Sequence, residues 1–192
     1  MAKQSSLPWE EARDSEAFES AASFKESQAV IASPVREIGN SEPKHLTVKP
    51  VCARLNLEDL KCFEGVEKQF HYWGVLFRNA IALQPSNPAY PPRSGTTVLM
   101  GAPDSGWIEA IFPKPVCFVC CYVTSSQRTI MSAYDAQDNL LLRSEMPSAN
   151  LAGSSSEILP NTQLSVQSPN ISRITLSAFD GQLIVDDFSF GF

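Results

Sequence analysis

From Leu46 onward the sequence is a series of short β-type runs broken by Pro, Gly, Asn, Asp and Ser, with no 3.6-residue period sustained over three turns. The runs are HLTVKPVCARLNL, GVLF, AIAL, TTVLMG, GWIEAIF, VCFVCCYVT, RTIMSAYD, NLLLRSEM, TQLSV, ISRITLSAF and QLIVDDFSF. Ten or so short strands with turn signals between them predict an all-β sandwich or barrel. Residues 136–139 are placed to link RTIMSAYD to NLLLRSEM as a hairpin. Asp180-Gly181 suits a two-residue hairpin turn between the last two runs. Pro113 and Pro115 predict a bend that separates GWIEAIF from VCFVCCYV, because neither suits a central strand. Residues 84–95, QPSNPAYPPRSG, form a long proline-stiffened loop at one end of the sandwich.

Residues 1–45 differ. They hold five basic against eight acidic side chains, half of the chain's net charge of −6, and Ser, Glu and Ala dominate. Pro8, Glu10 and Glu11 suit the first turn of a short helix. The apolar positions make no continuous stripe, so the segment reads as a flexible or partly helical extension to a domain over 46–192. Trp9 and Phe18 are its candidate docking residues. The acidic balance disfavours a nucleic-acid partner, which needs a basic stripe for phosphates. No run approaches the roughly 18 apolar residues needed to span a bilayer. No 7–15-residue apolar stretch precedes the first acids, which predicts a cytoplasmic chain rather than a secreted one. The five cysteines are an odd number, and VCFVCCYV has no turn residue to converge its sulfurs on zinc. Strand alternation puts Cys117 and Cys121 on one face and Cys120 on the other, all behaving as small hydrophobes. Asn170-Ile171-Ser172 fits the glycosylation pattern, which matters only in an exported protein.

The last run is the least ordinary. Alternation in QLIVDDFSF puts Ile184, Asp186, Phe188 and Phe190 on one face and Val185, Asp187 and Ser189 on the other. Phe188 and Phe190 want the core, so Asp186 points towards an apolar layer and needs a partner. Glu58, Asp59 and Glu64 in LNLEDLKCFEG are hard oxygen donors. A Glu near the first strand and an Asp in the last would suit Ca²⁺. The alternative is a carboxylate held by backbone N–H groups or by an Arg such as Arg54.

Four blocks carry a family resemblance: Leu57-Glu58 with QFHYWGVLF (69–77), GWIEAIFPKPV (106–116), Ala133-Tyr134-Asp135 before Asn139-Leu140, and VDDFSF (185–190). In order and spacing the span from about Leu55 to Phe190 resembles uncharacterised bacterial jelly-roll domains, galactose-binding-like β-sandwiches of the carbohydrate-binding-module type. The resemblance implies a jelly roll with a structural calcium between Glu58 and Asp186. The chain departs from the pattern at Leu57, where Phe is usual. It departs again at residues 137–139, where a Gly is usual. The resembling domains are often exported.

The first function to expect is therefore a non-catalytic binding module with carbohydrate as its ligand. The sugar-site candidates are Tyr90 and Arg93 in the proline-rich loop, with Trp73, Trp107 and His71. Trp107 and Trp73 are also natural core residues. The alternative is a protein-interaction or structural domain. Catalysis ranks last: only His45 and His71 offer an imidazole base, and there is no nucleophile elbow, P-loop or dinucleotide glycine pattern.

Overall fold

The computed structural model describes residues 29–35, 51–102, 104 and 106–192. Trp9, Phe18 and His45 lie outside the described residues. Within them the chain is almost entirely β, a sandwich built from one ten-stranded sheet folded onto itself. The strands are β1 (Val30–Ala32), β2 (Cys52–Leu55), β3 (Leu76–Arg78), β4 (Ala80–Leu83), β5 (Val98–Gly101), β6 (Trp107–Ser125), β7 (Thr129–Tyr134), β8 (Leu140–Met146), β9 (Thr162–Ala178) and β10 (Leu183–Gly191). The helical content is one 3-10 turn, His71–Trp73. Residues 30–32 fall in the N-terminal extension of the sequence reading, yet they form β1 and pair in parallel with β2.

Two long strands make the fold-over. The first half of β6 pairs with β3 and with the second half of β9, which continues to β7 and β8. The second half of β6 pairs with the first half of β9 and with β10, which continues to β5 and β4 and, further along, to β2 and β1. Each half belongs to a different layer. Phe77 meets Phe188 at 5.3 Å and Phe112 meets Phe190 at 5.4 Å, so aromatic pairs stitch the layers together. One apolar cluster containing Ile108, Met131, Ile174, Val123, Val185 and Phe188 fills the space between them.

Several sequence expectations change here. GWIEAIF and VCFVCCYV are one strand, because the β6–β9 ladder is already interrupted between Ile111 and Val116. Pro113 and Pro115 lie in that gap, where no ladder N–H is lost. TQLSV and ISRITLSAF merge likewise into β9, with Pro169 at a separate break of the ladder, between the Val116–Ile171 and Phe118–Gln167 pairs. The 136–139 hairpin forms as expected: Asp135 Oδ1 accepts hydrogen bonds from the Gln137 and Asn139 backbone N–H groups, both at 2.9 Å. Asp180-Gly181 makes no hairpin. β9 and β10 flank β6 on opposite sides, so the turn carries the chain from one layer to the other. A second irregularity, between Val116 and Phe118, puts Cys117 with Phe118 and Cys120 in a small outer cluster, while Cys121 enters the main core. Cys117 and Cys121 thus face opposite ways. Among the described residues, which include all five cysteines, no disulfide forms.

Candidate functional site

The last strand is not regular. Asp186 pairs with Tyr122 and Ser189 with Cys120, so three residues of β10 advance against two of β6. The extra residue is a β-bulge, with Asp187 in the left-handed region at φ 48°. It resets the alternation. Val185, Phe188 and Phe190 face the core, whereas Ile184 and Asp186 face outward with Tyr122. The expectation that Asp186 shares a face with Phe188 and Phe190 is therefore corrected. Asp187 is also not a solvated acid: the two residues are only 3% and 6% exposed.

What covers them is the end of the proline-rich loop. Asp186 Oδ2 accepts from the backbone N–H groups of Arg93 (2.8 Å) and Ser94 (3.1 Å), and its Oδ1 from that of Asp187 (2.7 Å). Asp187 Oδ1 accepts from the Ser94 hydroxyl at 2.6 Å and from the Arg54 guanidinium. Arg54 thus serves the neighbouring acid rather than Asp186. Arg93 Nε lies 3.5 Å from Asp187 Oδ2, with its guanidinium 3.5 Å from the centre of the Tyr122 ring.

Glu58 grips the same loop two residues further on. Asn56 Oδ1 accepts from the Glu58 backbone N–H at 3.1 Å, which turns the side chain towards the loop. Glu58 Oε1 accepts from the Thr97 N–H at 2.9 Å and Oε2 from the Thr96 hydroxyl at 2.9 Å, with the Thr96 N–H 3.1 Å from both oxygens. Gly95 lies between the two grips at φ 59°, and a Cβ there would fall 2.3 Å from Glu58 Oε1. Only glycine fits.

The two carboxylates respond oppositely to these surroundings. Burial pushes the Asp186 carboxyl above the ordinary carboxylate range, helped by the Asp187 charge, and its three N–H partners only partly offset this. Burial also raises Glu58, but the bonds from Thr97 and Thr96 outweigh it and hold the carboxyl below its usual range.

Glu58 and Asp186, the expected calcium ligands, are thus brought to one five-residue segment. Their oxygens face hydrogen-bond donors, the opposite of the oxygen-rich surroundings a calcium ion takes. No group of three or more His, Cys, Asp or Glu is placed to hold a metal among the described residues. The donors found here satisfy both carboxylates by themselves.

The other end of the loop frames a groove. A cleft of about 170 Å³ lies over the outer face of β4, β5 and β10, and Phe63, Gln84, Tyr90, Met100, Gln182 and Ile184 form much of its lining. Met100 pairs with Ile184 across β5 and β10, giving an apolar floor. Tyr90 is held over it by a tight turn: Asn87 Oδ1 accepts from the Ala89 N–H and the Asn87 carbonyl from the Tyr90 N–H, both at 3.0 Å. The loop is tied behind to the 150–161 segment, through Ala152 N–H to the Ala89 carbonyl and Asn161 Nδ2 to the Pro91 carbonyl. Phe63 lines the same cleft from a separate turn. It is 73% exposed and adopts φ 65°, an uncommon backbone conformation for a bulky residue.

Of the sequence candidates, Tyr90 alone lines this groove. Arg93 is three residues away and engaged by Tyr122 and Asp187. Trp73 packs half-buried against the core and donates its indole N–H to the Ser33 carbonyl at 2.8 Å, bracing the β1 segment. His71 is exposed beside Tyr72, with Nδ1 2.7 Å from the Lys68 carbonyl. Trp107 opens β6 in the other layer and is half-buried. Phe63, Met100, Gln182 and Ile184 were missed. Phe63 was legible as an aromatic between two acidic turns outside any β-type run. The other three needed the β5–β10 pairing and the bulge.

No helix among the described residues is long and apolar enough to cross a membrane. No protein-family model matches the chain, and no curated protein matches it. Among solved structures, the chain is similar to the carbohydrate-binding module TmCBM61, determined in complex with beta-1,4-galactotriose, at 13% identity and a TM-score of 0.37, covering 62% of this chain and 88% of that one. It is also similar to the CBM22-1 xylan-binding domain of Xyn10C from Paenibacillus barcinonensis, at 13% identity and a TM-score of 0.33, covering 68% of this chain and 90% of that one.

Proposed function

We propose that the chain is a non-catalytic carbohydrate-binding module whose groove beneath Tyr90 receives a sugar ring. The observation that carries this is the groove itself. Two aromatic side chains, Tyr90 and Phe63, stand over a floor of Met100 and Ile184, with amide side chains at the rim. A pyranose offers apolar C–H faces to such rings and hydroxyls to such amides. The loop that presents Tyr90 is clamped at its far end by three acids, so little order remains to be imposed on binding. The left-handed backbone at Phe63 adds support, since conformations of this kind cluster at ligand sites.

The test is affinity electrophoresis and calorimetry of the full chain against a panel of soluble polysaccharides. Tyr90→Ala and Phe63→Ala should each weaken the binding found by about tenfold or more, with the fold unchanged by circular dichroism. Unaltered affinity in both variants would remove the groove from the reading. Calcium between Glu58 and Asp186, which the resemblance implies, would have to compete with the N–H donors already on both carboxylates, and melting in calcium and in EGTA judges it separately. A protein-interaction role has one observation in its favour. Leu140 and Leu142 are 46% and 41% exposed along β8, the last strand of its layer.

A further inference from the structure

We infer that the groove selects an uncharged glycan and rejects chains bearing carboxylate or sulfate groups. This rests on the carbohydrate-binding reading and goes further by naming the ligand class.

The first observation is the lining. Among the described residues, the ten that line the cleft include no Asp, Glu, Lys, Arg or His. A uronate or sulfate entering it would lose water and find no cation. An unpaired buried charge is far more costly than an unpaired hydroxyl.

The second observation is where the nearby cations are. Arg93 is the basic residue of the loop, yet its guanidinium lies against the Tyr122 ring and beside Asp187. Arg54, on the same side of the sheet, is bonded to Asp187 and Ser94. Recruiting either to an anionic sugar would strip Asp187 of a partner while it is buried. The bulge therefore withholds positive charge from the groove. The chain's net charge of −6 adds a long-range field that opposes a polyanion.

The third observation is the polar chemistry that is present. Gln84, Asn87 and Gln182 are exposed at the rim. Each side-chain amide combines a carbonyl acceptor with an N–H₂ donor. A sugar hydroxyl both donates and accepts, so an amide matches it in either role. Asn87 commits its Oδ1 to the Ala89 N–H, which leaves its N–H₂ as the donor it can offer. At about 170 Å³ the cleft is below the usual range for an enclosed drug-sized site, which suits one ring of a chain that runs out at both ends.

The experiment takes the tightest ligand from the polysaccharide panel and compares it by calorimetry with its own C6-carboxylated and sulfated derivatives, at low and at physiological salt. The expected ligand is neutral. Its affinity should be nearly independent of salt, and each charged derivative should bind at least about tenfold more weakly. Gln182→Lys should narrow that gap by improving the charged derivatives, while Gln182→Ala weakens the neutral ligand alone. An acidic glycan as the tightest ligand, or equal binding of the charged derivatives, overturns the selectivity and leaves the binding module standing. A folded chain that retains no glycan of either kind overturns both.

Discussion

The two ends of the proline-rich loop are built on opposite principles. At residues 93–97 most polar groups are paired, the buried Thr97 hydroxyl being the exception. Asp186 and Glu58 take backbone N–H groups from Arg93, Ser94, Thr96 and Thr97, Glu58 also takes the Thr96 hydroxyl, and Asp187 takes the Ser94 hydroxyl and Arg54. At residues 84–90 the side chains instead face a cleft, with aromatic and amide groups turned towards solvent. A buried network is stable only when fully satisfied, whereas a binding surface must keep groups available. The bonded end is the anchor that lets the open end hold its shape.

Breaking the anchor should give the largest effect. Asp186→Ala leaves three N–H groups without an acceptor, and a loss of about 2–4 kcal/mol in urea unfolding is expected. Glycan binding should fall with it, because the loop that carries Tyr90 is released. Binding that survives intact in this variant would separate the two ends and undo the comparison.

Gly95→Ala is next. It introduces a left-handed alanine and a clash with the Glu58 carboxylate, with an expected cost of about 1–3 kcal/mol by thermal melting. An unchanged melting temperature would mean that Glu58 swings away from Thr96 and Thr97 at no loss.

The pH dependence sharpens the comparison within the anchor, because its two gripping acids carry opposite signs. Asp186 is raised above 3.8, so above that pH the folded chain holds more protons here than the unfolded chain. Its contribution to stability declines as pH rises through the raised value. Glu58 is lowered from 4.5, so its contribution is present above about that pH and is lost as pH falls through the lowered value. Stability curves over this acid range should therefore shift in opposite senses for Asp186→Asn and Glu58→Gln. Parallel shifts would show that one of the two environments is misassigned.

The smallest expected effect is that of calcium. The N–H donors already satisfy Glu58 and Asp186, so millimolar calcium against EGTA should move the melting temperature little. A clear calcium-dependent rise that disappears in Asp186→Ala would instead establish the ion as part of the anchor.

Much of the framework could be read without coordinates. Alternation and turn residues located the β-type runs, the Asp135–Asn139 turn and the loop bearing Tyr90. The need of Asp186 for a partner was expected from a face shared with Phe188 and Phe190, which the bulge removes; the need itself stands because Asp186 is buried under the loop. Backbone N–H groups, one of the alternatives weighed, are the partner found. Less legible were the strand joins across Pro113, Pro115 and Pro169. A proline is tolerated wherever the neighbouring ladder is already open, and sequence does not say where that happens.

The sequence by itself determined that the chain is all β and that two adjacent acids would stand in an apolar final strand. Both follow from local chemistry: side-chain period, turn propensity and the cost of burying charge. Only the tertiary structure decided which way those acids point. One inserted residue at Asp187 reverses the faces of β10, sends Phe188 and Phe190 inward, and aims Asp186 at a loop 92 residues away in sequence. Register depends on what each strand meets across the sheet, so a single bulge can move a side chain from one face to the other while every local preference stays the same.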